Sequence, residues 1–592
     1  LKRFPSITQF FKKYAIWIYA LYTIGNVILN FDLNEKRHCI RGDGIGYYNF
    51  LPAMYTYHDS SYGYLNDIGD KYYKGEHHTF FNKTNDSLKF NKYYSGVSFL
   101  QTPFYLAADN LSTPLGYDRD GFSFIYQALF IIGASFYLFL LLIAFHAFVN
   151  IFKTDHFVAF IVTTSFWLAS NWIDYSSMDL SFTHVYNLCF ACLFFNAVFK
   201  YSQTKQGFHI ALAGFFFGLM VILRPINGLG ALFIVPFLGF TNFIALAKFS
   251  FSKYKHLLIA ALALFIPIFY QLLVYKWQCN QWYVYGYGKE YFDWEDSHFF
   301  AFLFGVERGW FILSPITLLG LVGIYYLPRK IGEKIYILGY LFVIIFILSC
   351  WWYWNYGYSY GNRALLDYMY VPAIGLQCLL VSYYKQSMRF AIVCCILVVF
   401  IYLNLIQFYQ YFNEITIKEN MNWTYFKRLF LRTEEAYKFK VILNTIPVNV
   451  ADTSFDSCSI LKYDINYRDT VTKLNEFSVA GVDIYSPSIS LNYNLIKGLD
   501  SGYFYTNLDF KGSPTTTKYI FSANDSTGKS VLWKEMPLIR YENDLGNWNR
   551  AVMKIPLSLI PKCALIKTFV VTEFDRTKLK VKNFNVRVST TK

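Results

Sequence analysis

The sequence predicts a polytopic α-helical membrane protein with an extramembrane all-β, sandwich-like domain at its C-terminal end. Three observations predict it: about eleven apolar stretches long enough to cross a bilayer, basic residues in every second connection, and a change near residue 435 to short alternating strands. The composition agrees. Of 592 residues, 55% are hydrophobic and 21% aromatic, and only 16% are charged, which is more apolar surface than one soluble core would bury. The formal charge of +15 first suggests nucleic acid, but the Lys and Arg excess sits in short loops between apolar runs. No nucleic-acid partner is expected.

Runs of roughly 17 to 25 apolar residues place helices near 14–31, 123–149, 156–173, 182–199, 208–223 and 226–247. Five more follow near 256–275, 310–327, 333–350, 367–383 and 389–407. The connections on one side read KRFPSITQFFKK, NIFKTDH, KYSQTKQGF, KFSFSKYKH, PRKIGEK and YYKQSMR, and every one contains Lys or Arg. This puts the N-terminus in the cytoplasm and, for an odd number of spans, the chain after about residue 410 on the other side. The expected division is a membrane domain at 1–410 with an outer loop at 32–122, a connector at 411–434, and an extracytoplasmic β-sandwich domain at 435–592. Stretches such as SGYFYTNLDF, TKYIFSA and VKNFNVRVS carry the β reading.

The ten cysteines show no metal-ligand spacing. Cys189, Cys192, Cys350, Cys378, Cys394 and Cys395 lie in apolar runs as small hydrophobes, so only Cys458 and Cys563 raise a disulfide question.

The outer face collects the chemistry-bearing loops, beginning with IRGDGIGYYNFLPAMYTY at 40–57. Within it, GDG reads as a turn whose Asp43 caps the following helix, and from Tyr47 onward the rings recur on one face, as in an amphipathic interface helix. Distant outer segments add Arg224 in ILRPIN, Lys289 and Glu290 in YGYGKEYF, Arg308 in GVERGWF, and Arg363 with Asp367 in YSYGNRALLD. A carboxylate that removes a proton, near cations that neutralise a leaving phosphate, makes a group-transfer centre. Each cation taken alone reads first as a snorkelling or interface residue. Arg224 and Arg363 stand out because they lie at span edges, where an unpaired guanidinium is costly. WWYWNYGY is dense enough in rings to pack beside a sugar, although interface anchoring accounts for most aromatic residues.

On these residues the chain resembles the GT-C fold glycosyltransferases that use lipid-linked sugars, and it is similar in plan to bacterial protein O-mannosyltransferases and aminoarabinose transferases. GDGIGYYNFLPA, GVSFLQTPFYLAADNL, MDLSFTHVYNL, LRPINGL, GWFILSPITLLGLVGI and WNYGYSYGNRALLDYMYVPA carry the likeness, in order, over about residues 12–408. The resemblance implies a membrane enzyme that moves a sugar from a polyprenyl phosphate or diphosphate to an extracytoplasmic protein, lipid or glycan. It implies Asp43 as the base, and Arg224 and Arg363 on the donor phosphate. Lys289, Glu290, Arg308, His184, Tyr47 and Tyr48 follow as further substrate-binding residues. One acid suffices for an inverting displacement. In the common O-mannosyltransferase pattern Asp and Glu stand together, whereas here Gly44 follows Asp43. No metal ligands are assigned, and a divalent cation is left open. By the loops and the resemblance together, the location is a bacterial inner membrane with the active face outward.

Two other readings come from different classes. A lipid-linked glycan transporter or flippase would carry ionisable groups near the bilayer midplane, whereas here they gather in the outer loops. A non-catalytic envelope glycan-binding scaffold would tolerate the loss of Asp43. His184, taken alone, reads as a hydrogen-bonded histidine at a helix end.

Overall fold

The computed structural model describes residues 7–34, 38–73, 80–84, 88–288, 290–357, 359–413, 415–416, 421, 423–433, 461–466, 476–481, 484–485, 488–493, 503–511, 517–528, 530–538, 548–557, 560, 563, 565–572 and 575–589. The chain divides into two compact units, Leu1–Tyr411 with Met421–Leu431, and Phe412–Asn420 with Arg432–Lys592.

In the first unit, α1 (Ile7–Asn34), α2 (Asp43–Tyr48), α3 (Leu65–Tyr72), the hairpin β1 (Phe81–Lys83) with β2 (Lys89–Asn91), α4 (Gly96–Ser112) and α5 (Phe124–Val149) come first. Then follow α6 (His156–Leu168), α7 (Trp172–Ser177), α8 (His184–Thr204), α9 (Gly207–Leu223), α10 (Ile234–Leu238), α11 (Phe240–Ser252) and α12 (Tyr254–Cys279). The unit continues with α13 (Phe299–Phe304), α14 (Trp310–Leu313), α15 (Ile316–Gly323), α16 (Ile331–Ser349), α17 (Arg363–Leu366), α18 (Tyr370–Tyr383), α19 (Ser387–Phe412) and α20 (Trp423–Leu429).

Among the described residues, five helices are long and apolar enough to cross a membrane, namely α5, α12, α16, α19 and the Ile7–Phe31 part of α1. They leave apolar faces that no protein covers: Trp17, Leu21, Ile24 and Ile28 on α1, and Leu258, Leu262, Phe265 and Phe269 on α12, are all exposed. Lipid is the solvent such faces require. The chain is an integral membrane protein. Helix α8 is the opposite case, buried almost all round between α5 and α9, as a central helix of a bundle is.

The expected spans each hold helix, but three are broken, one of them 156–173, where α6 ends at Leu168 and α7 begins at Trp172. The stretch 226–247 is a 3-10 run, Pro225–Phe233, then α10 and α11, bent by 113°. At the bend, Oε1 of Glu333 accepts the Phe240 N–H at 2.8 Å, and Arg329 donates to the Phe237 carbonyl at 2.7 Å. One ion satisfies the start of α11 and the other the end of α10, so the backbone can break there without orphaned groups. Glu333→Ala is expected to cost about 1.5–3 kcal/mol, as for a lost hydrogen bond to a charged group. An unchanged thermal midpoint in lipid would show that the bend does not depend on it. The stretch 310–327 is broken at Ser314 and Pro315 into α14 and α15, and it ends in a short 3-10 turn at Ile324–Tyr326.

Two local rules explain the tightest joints. Asp155 begins α6 by accepting the N–H groups of Phe157 and Val158, and its Oδ1 also receives the Thr8 hydroxyl at 3.0 Å. Gly214 and Gly218 let α9 approach α12 so closely that a Cβ there would fall 2.2 and 2.5 Å from the Ala260 and Leu264 carbonyl oxygens.

The expected amphipathic helix after Asp43 is not what forms. Helix α2 is six residues long and is followed by a π-type turn at Pro52–Thr56, and Gly44–Ala53 are buried throughout. The rings that looked like one interface face are packed on several sides: Tyr48 lies against Tyr105, Phe122 and Phe130.

In the second unit the described strands are β3 (Leu461–Asn466), β4 (Glu476–Gly481), β5 (Ile484–Tyr485), β6 (Ile489–Asn492), β7 (Tyr503–Lys511) and β8 (Thr517–Asn524). They continue with β9 (Ser530–Pro537), β10 (Asn549–Pro556), β11 (Leu565–Thr572) and β12 (Asp575–Ser589). One antiparallel sheet runs β10-β7-β12-β3 with β4 also on β12, and the other runs β5-β11-β8-β9 with β6 also on β11. Phe504, Leu508 and Val586 of the first sheet share a core with Tyr519, Phe521 and Val570 of the second. The C-terminal part is therefore an all-β sandwich. Cys563 is a free, part-buried thiol, and Cys458 lies outside the described residues.

Candidate active site

A cavity of about 670 Å³ opens in the first unit, lined largely by residues of the connections between helices. Asp43, Lys92, His184, Arg224, Glu290 and Arg363 reach it from six separate places in the chain.

Asp43 is set by its glycines. Gly42 has φ 54° and ψ −136°, a conformation open to glycine, and α2 begins immediately after it. The Asp43 side chain caps nothing. Its Oδ1 accepts the Tyr93 hydroxyl at 2.7 Å, and its Oδ2 takes Nη2 of Arg363 at 2.8 Å. The ring of Tyr93 fits there because residue 46 is glycine: a Cβ would lie 2.2 Å from it. Gly46→Ala is expected to cost about 1–3 kcal/mol by overpacking. Gly25→Ala, where a Cβ meets nothing within 4 Å, is the control. Equal thermal midpoints for the two variants would contradict this account of Tyr93.

Burial works against the Asp43 charge, but Arg363, then Tyr93 and, at longer range, Lys92 outweigh it and hold the carboxyl below its usual range. Arg363 is also buried against its charge, and Asp43, with Tyr175, Tyr47 and Tyr93 beside it, outweighs this, so its pKa rises. Burial and the nearby Asp43 push the Tyr47 hydroxyl up to about 12.

Arg224 reaches the cavity because Pro225 cannot continue α9, and the residue before a proline is driven to an extended backbone, here φ −157°. Behind it lies Asp367, 1% exposed. Oδ2 of Asp367 accepts from Nη1 of Arg224 at 3.1 Å and from the Asn227 amide at 3.0 Å, while Oδ1 meets Nδ1 of His184 at 3.0 Å. This hub ties the start of α8 and the end of α9 to one carboxylate at the end of α17.

Of the residues singled out in the sequence, Asp43, Tyr47, His184, Arg224, Glu290 and Arg363 line the cavity. Glu290 is paired there with Lys92 at 2.7 Å. Arg308 is not among the lining. It is buried behind the turn that holds Tyr356, with Nη2 donating to the Gly357 carbonyl at 2.8 Å. Tyr48 also lies away from it, buried, and donates to the Gly121 carbonyl. Lys289 lies outside the described residues. Four rings of WWYWNYGY, those of Trp351, Trp352, Tyr353 and Tyr356, line the cavity, whereas Trp354 stacks on His298 instead.

Sequence reasoning did not single out Lys92, Tyr93 or Arg41. Arg41 donates through both Nε and Nη2 to Asp179, at 3.0 and 2.9 Å, and so ties the approach to Asp43 to the loop before α8. Its place two residues before Asp43 was the available signal.

A divalent cation finds no ligand set here. Among the described residues no three His, Cys, Asp or Glu side chains come together as one. At Asp43 the positive partner is a guanidinium, which occupies the carboxylate oxygen that a metal would use.

No family model matches the chain, and no curated protein matches its sequence. Solved structures similar to it include the Archaeoglobus fulgidus oligosaccharyltransferase in complex with Zn and sulfate: 13% identity, 71% of this chain, 58% of that one, TM-score 0.39. The archaeal oligosaccharyltransferase AglB from the same organism, with an inhibitory peptide and a dolichol-phosphate, is 11% identical over 71% of this chain and 60% of that one, TM-score 0.40. The arabinosyltransferase EmbB from Mycobacterium smegmatis is 9% identical over 93% of this chain and 64% of that one, TM-score 0.33. The chain thus spans less than two thirds of the length of each of these three. At these identities and scores the likeness assigns no role to any residue.

Proposed function

We propose that the protein is a membrane glycosyltransferase of the GT-C kind, which moves a sugar from a polyprenyl phosphate or diphosphate to an extracytoplasmic protein, lipid or glycan. One observation carries the reading: a carboxylate and two guanidiniums from distant parts of the chain meet in one cavity. Its volume lies within the roughly 300–1,000 Å³ of small-molecule sites, which suits a sugar phosphate and the end of an acceptor.

In the proposed reaction the acceptor hydroxyl gives its proton to Asp43 and its oxygen bonds to the anomeric carbon. The bond from that carbon to the phosphate oxygen breaks, and its electron pair stays on the phosphate. Arg224 and Arg363 meet the charge that grows there, in a site where buried guanidiniums act strongly. Trp351, Trp352, Tyr353 and Tyr356 offer faces on which a sugar packs. No step is assigned to a metal, because the guanidiniums already answer the phosphate charge.

The orientation belongs to the proposal too. Lys153, in NIFKTDH, reaches the end of α18 that leads into YYKQSMR, with Nζ donating to the Ser382 hydroxyl at 2.6 Å, and neither residue lines the cavity. By the positive-inside rule that end is cytoplasmic, which turns the cavity outward. The division at 410 and 435, with the β domain outside an inner membrane, goes with this orientation.

The test is to offer the purified protein in lipid a panel of polyprenyl-linked sugars with envelope acceptors. Release of free carrier together with a labelled acceptor is the expected result. Movement of a lipid-linked glycan between leaflets, without consumption of donor, would replace this reading with a transporter.

A further inference from the structure

Arg363 is placed to serve two anions. Its Nη2 holds Oδ2 of Asp43, and the same guanidinium lines the cavity beside Arg224, where a donor phosphate would be met. The two arginines differ in how they are held. Arg224 is fixed from behind by Asp367, which His184 and Asn227 also grip, so its position does not depend on Asp43. Arg363 is paired with Asp43 itself and otherwise lies over the rings of Phe182 and Tyr356, at 5.2 and 6.0 Å. Ring faces leave a guanidinium free to turn toward a second anion. Both side chains open onto the cavity, Asp43 by 34% and Arg363 by 15%.

We infer that Asp43 and the donor phosphate compete for Arg363, so that donor arrival takes the guanidinium from Asp43 and frees that carboxylate to receive the acceptor proton. The inference rests on the transferase reading above. The acceptor hydroxyl then takes the place on Oδ1 that Tyr93 holds at 2.7 Å. The proton passes to Asp43, the acceptor oxygen bonds to the anomeric carbon, and the electron pair of the broken bond stays on the phosphate, now paired with Arg363 and Arg224. The titratable and charged groups around Asp43 are Tyr47 on its own helix, Lys92 and Tyr93 from the segment before α4, Arg224 after α9, and Arg363 on α17. Of these, Arg363 is the ion paired with it directly. Held by it, Asp43 is a shielded anion and a weak base; relieved of it beside a phosphate, it becomes a stronger one. This orders the reaction, because an acceptor that enters first meets a carboxylate unfit to take its proton.

Coupling between two groups is reciprocal, so what the phosphate does to Asp43, Asp43 does to the phosphate. The full chain in lipid, titrated with farnesyl phosphate, tests this in four forms: wild type, Asp43→Asn, Arg363→Gln and the double variant. Asp43→Asn is expected to bind farnesyl phosphate about ten-fold tighter than wild type, within the usual range of such couplings. In the Arg363→Gln background the same change is expected to alter binding less than about two-fold. Equal tightening in both backgrounds would reduce the effect to the general field of the cavity and overturn the inference, as would no tightening at all. Binding by none of the four would instead remove the donor reading beneath it. Proton uptake on binding, measured by calorimetry in buffers of different ionisation enthalpy, gives a second readout that needs no Arg363 variant. Wild type is expected to take up more protons per farnesyl phosphate bound than Asp43→Asn, and equal uptake would count against the competition.

Discussion

Asp43→Asn is expected to lower sugar transfer by about 10²- to 10⁴-fold, the usual cost of losing general-base catalysis. Asparagine keeps the size and still offers one oxygen to Nη2 of Arg363, so the turn at Gly42 and the packing of Tyr93 against Gly46 have no reason to change. What disappears is the proton acceptor. The measurement is the steady-state rate of carrier release in lipid, with the thermal midpoint taken in parallel to show that the fold survives. Transfer at the wild-type rate would return Asp43 to a purely structural partner of Arg363 and remove the base from the proposed reaction. A loss of rate combined with the tighter farnesyl phosphate binding expected above separates this role from general damage, because damaged sites do not bind better.

Asp367→Ala is expected to cost the most stability of any single change at this site, about 3–5 kcal/mol, as when one partner of a buried ion pair is removed. Asp367 is buried and satisfies Arg224, Asn227 and His184 at once, so its loss leaves a charge and two polar groups facing a hole. A fall in thermal midpoint is the direct check, and an unchanged midpoint would deny the hub any energetic role. The double variant Arg224→Met with Asp367→Leu removes the charges together. Because apolar replacements of a buried pair are often neutral or better, it is expected to recover the share of the midpoint owed to the unpaired Arg224 charge, but not that owed to Asn227 and His184, while transfer stays lost. Recovery of both would show that Arg224 does not serve the donor.

Periodicity alone made the architecture legible. The apolar runs marked where helices form, and the expected 123–149 became Phe124–Val149. The alternating stretches after 435 became two antiparallel sheets. Asp43, Arg224 and Arg363 were legible as candidates because an ion at the edge of an apolar run has few reasons to be there. Arg308 was a weaker candidate beside them, and it has a different fate. Its guanidinium is spent on the Gly357 carbonyl behind the cavity wall, and no feature of GVERGWF separates the two outcomes.

What the sequence by itself determined is thus whatever depends on neighbours along the chain: helix or strand period, the extended turn that Pro225 imposes on Arg224, and the glycine that lets the chain turn into Asp43. The tertiary structure alone decided who meets whom. Tyr93 reaches Asp43 across 50 positions, Arg224 reaches Asp367 across 143, and His184 reaches it across 183. The bend at Gly239 was hidden for the same reason, since Glu333, 93 positions from the N–H it satisfies, is what allows an apolar run to break there. A side-chain period reports the face that its own element buries, and it carries no information about which distant element supplies the other half of a contact. That choice is made when helices pack and every buried charge has to find a partner, which is why Asp43, its guanidinium partner and the hub at Asp367 came together only in the folded chain.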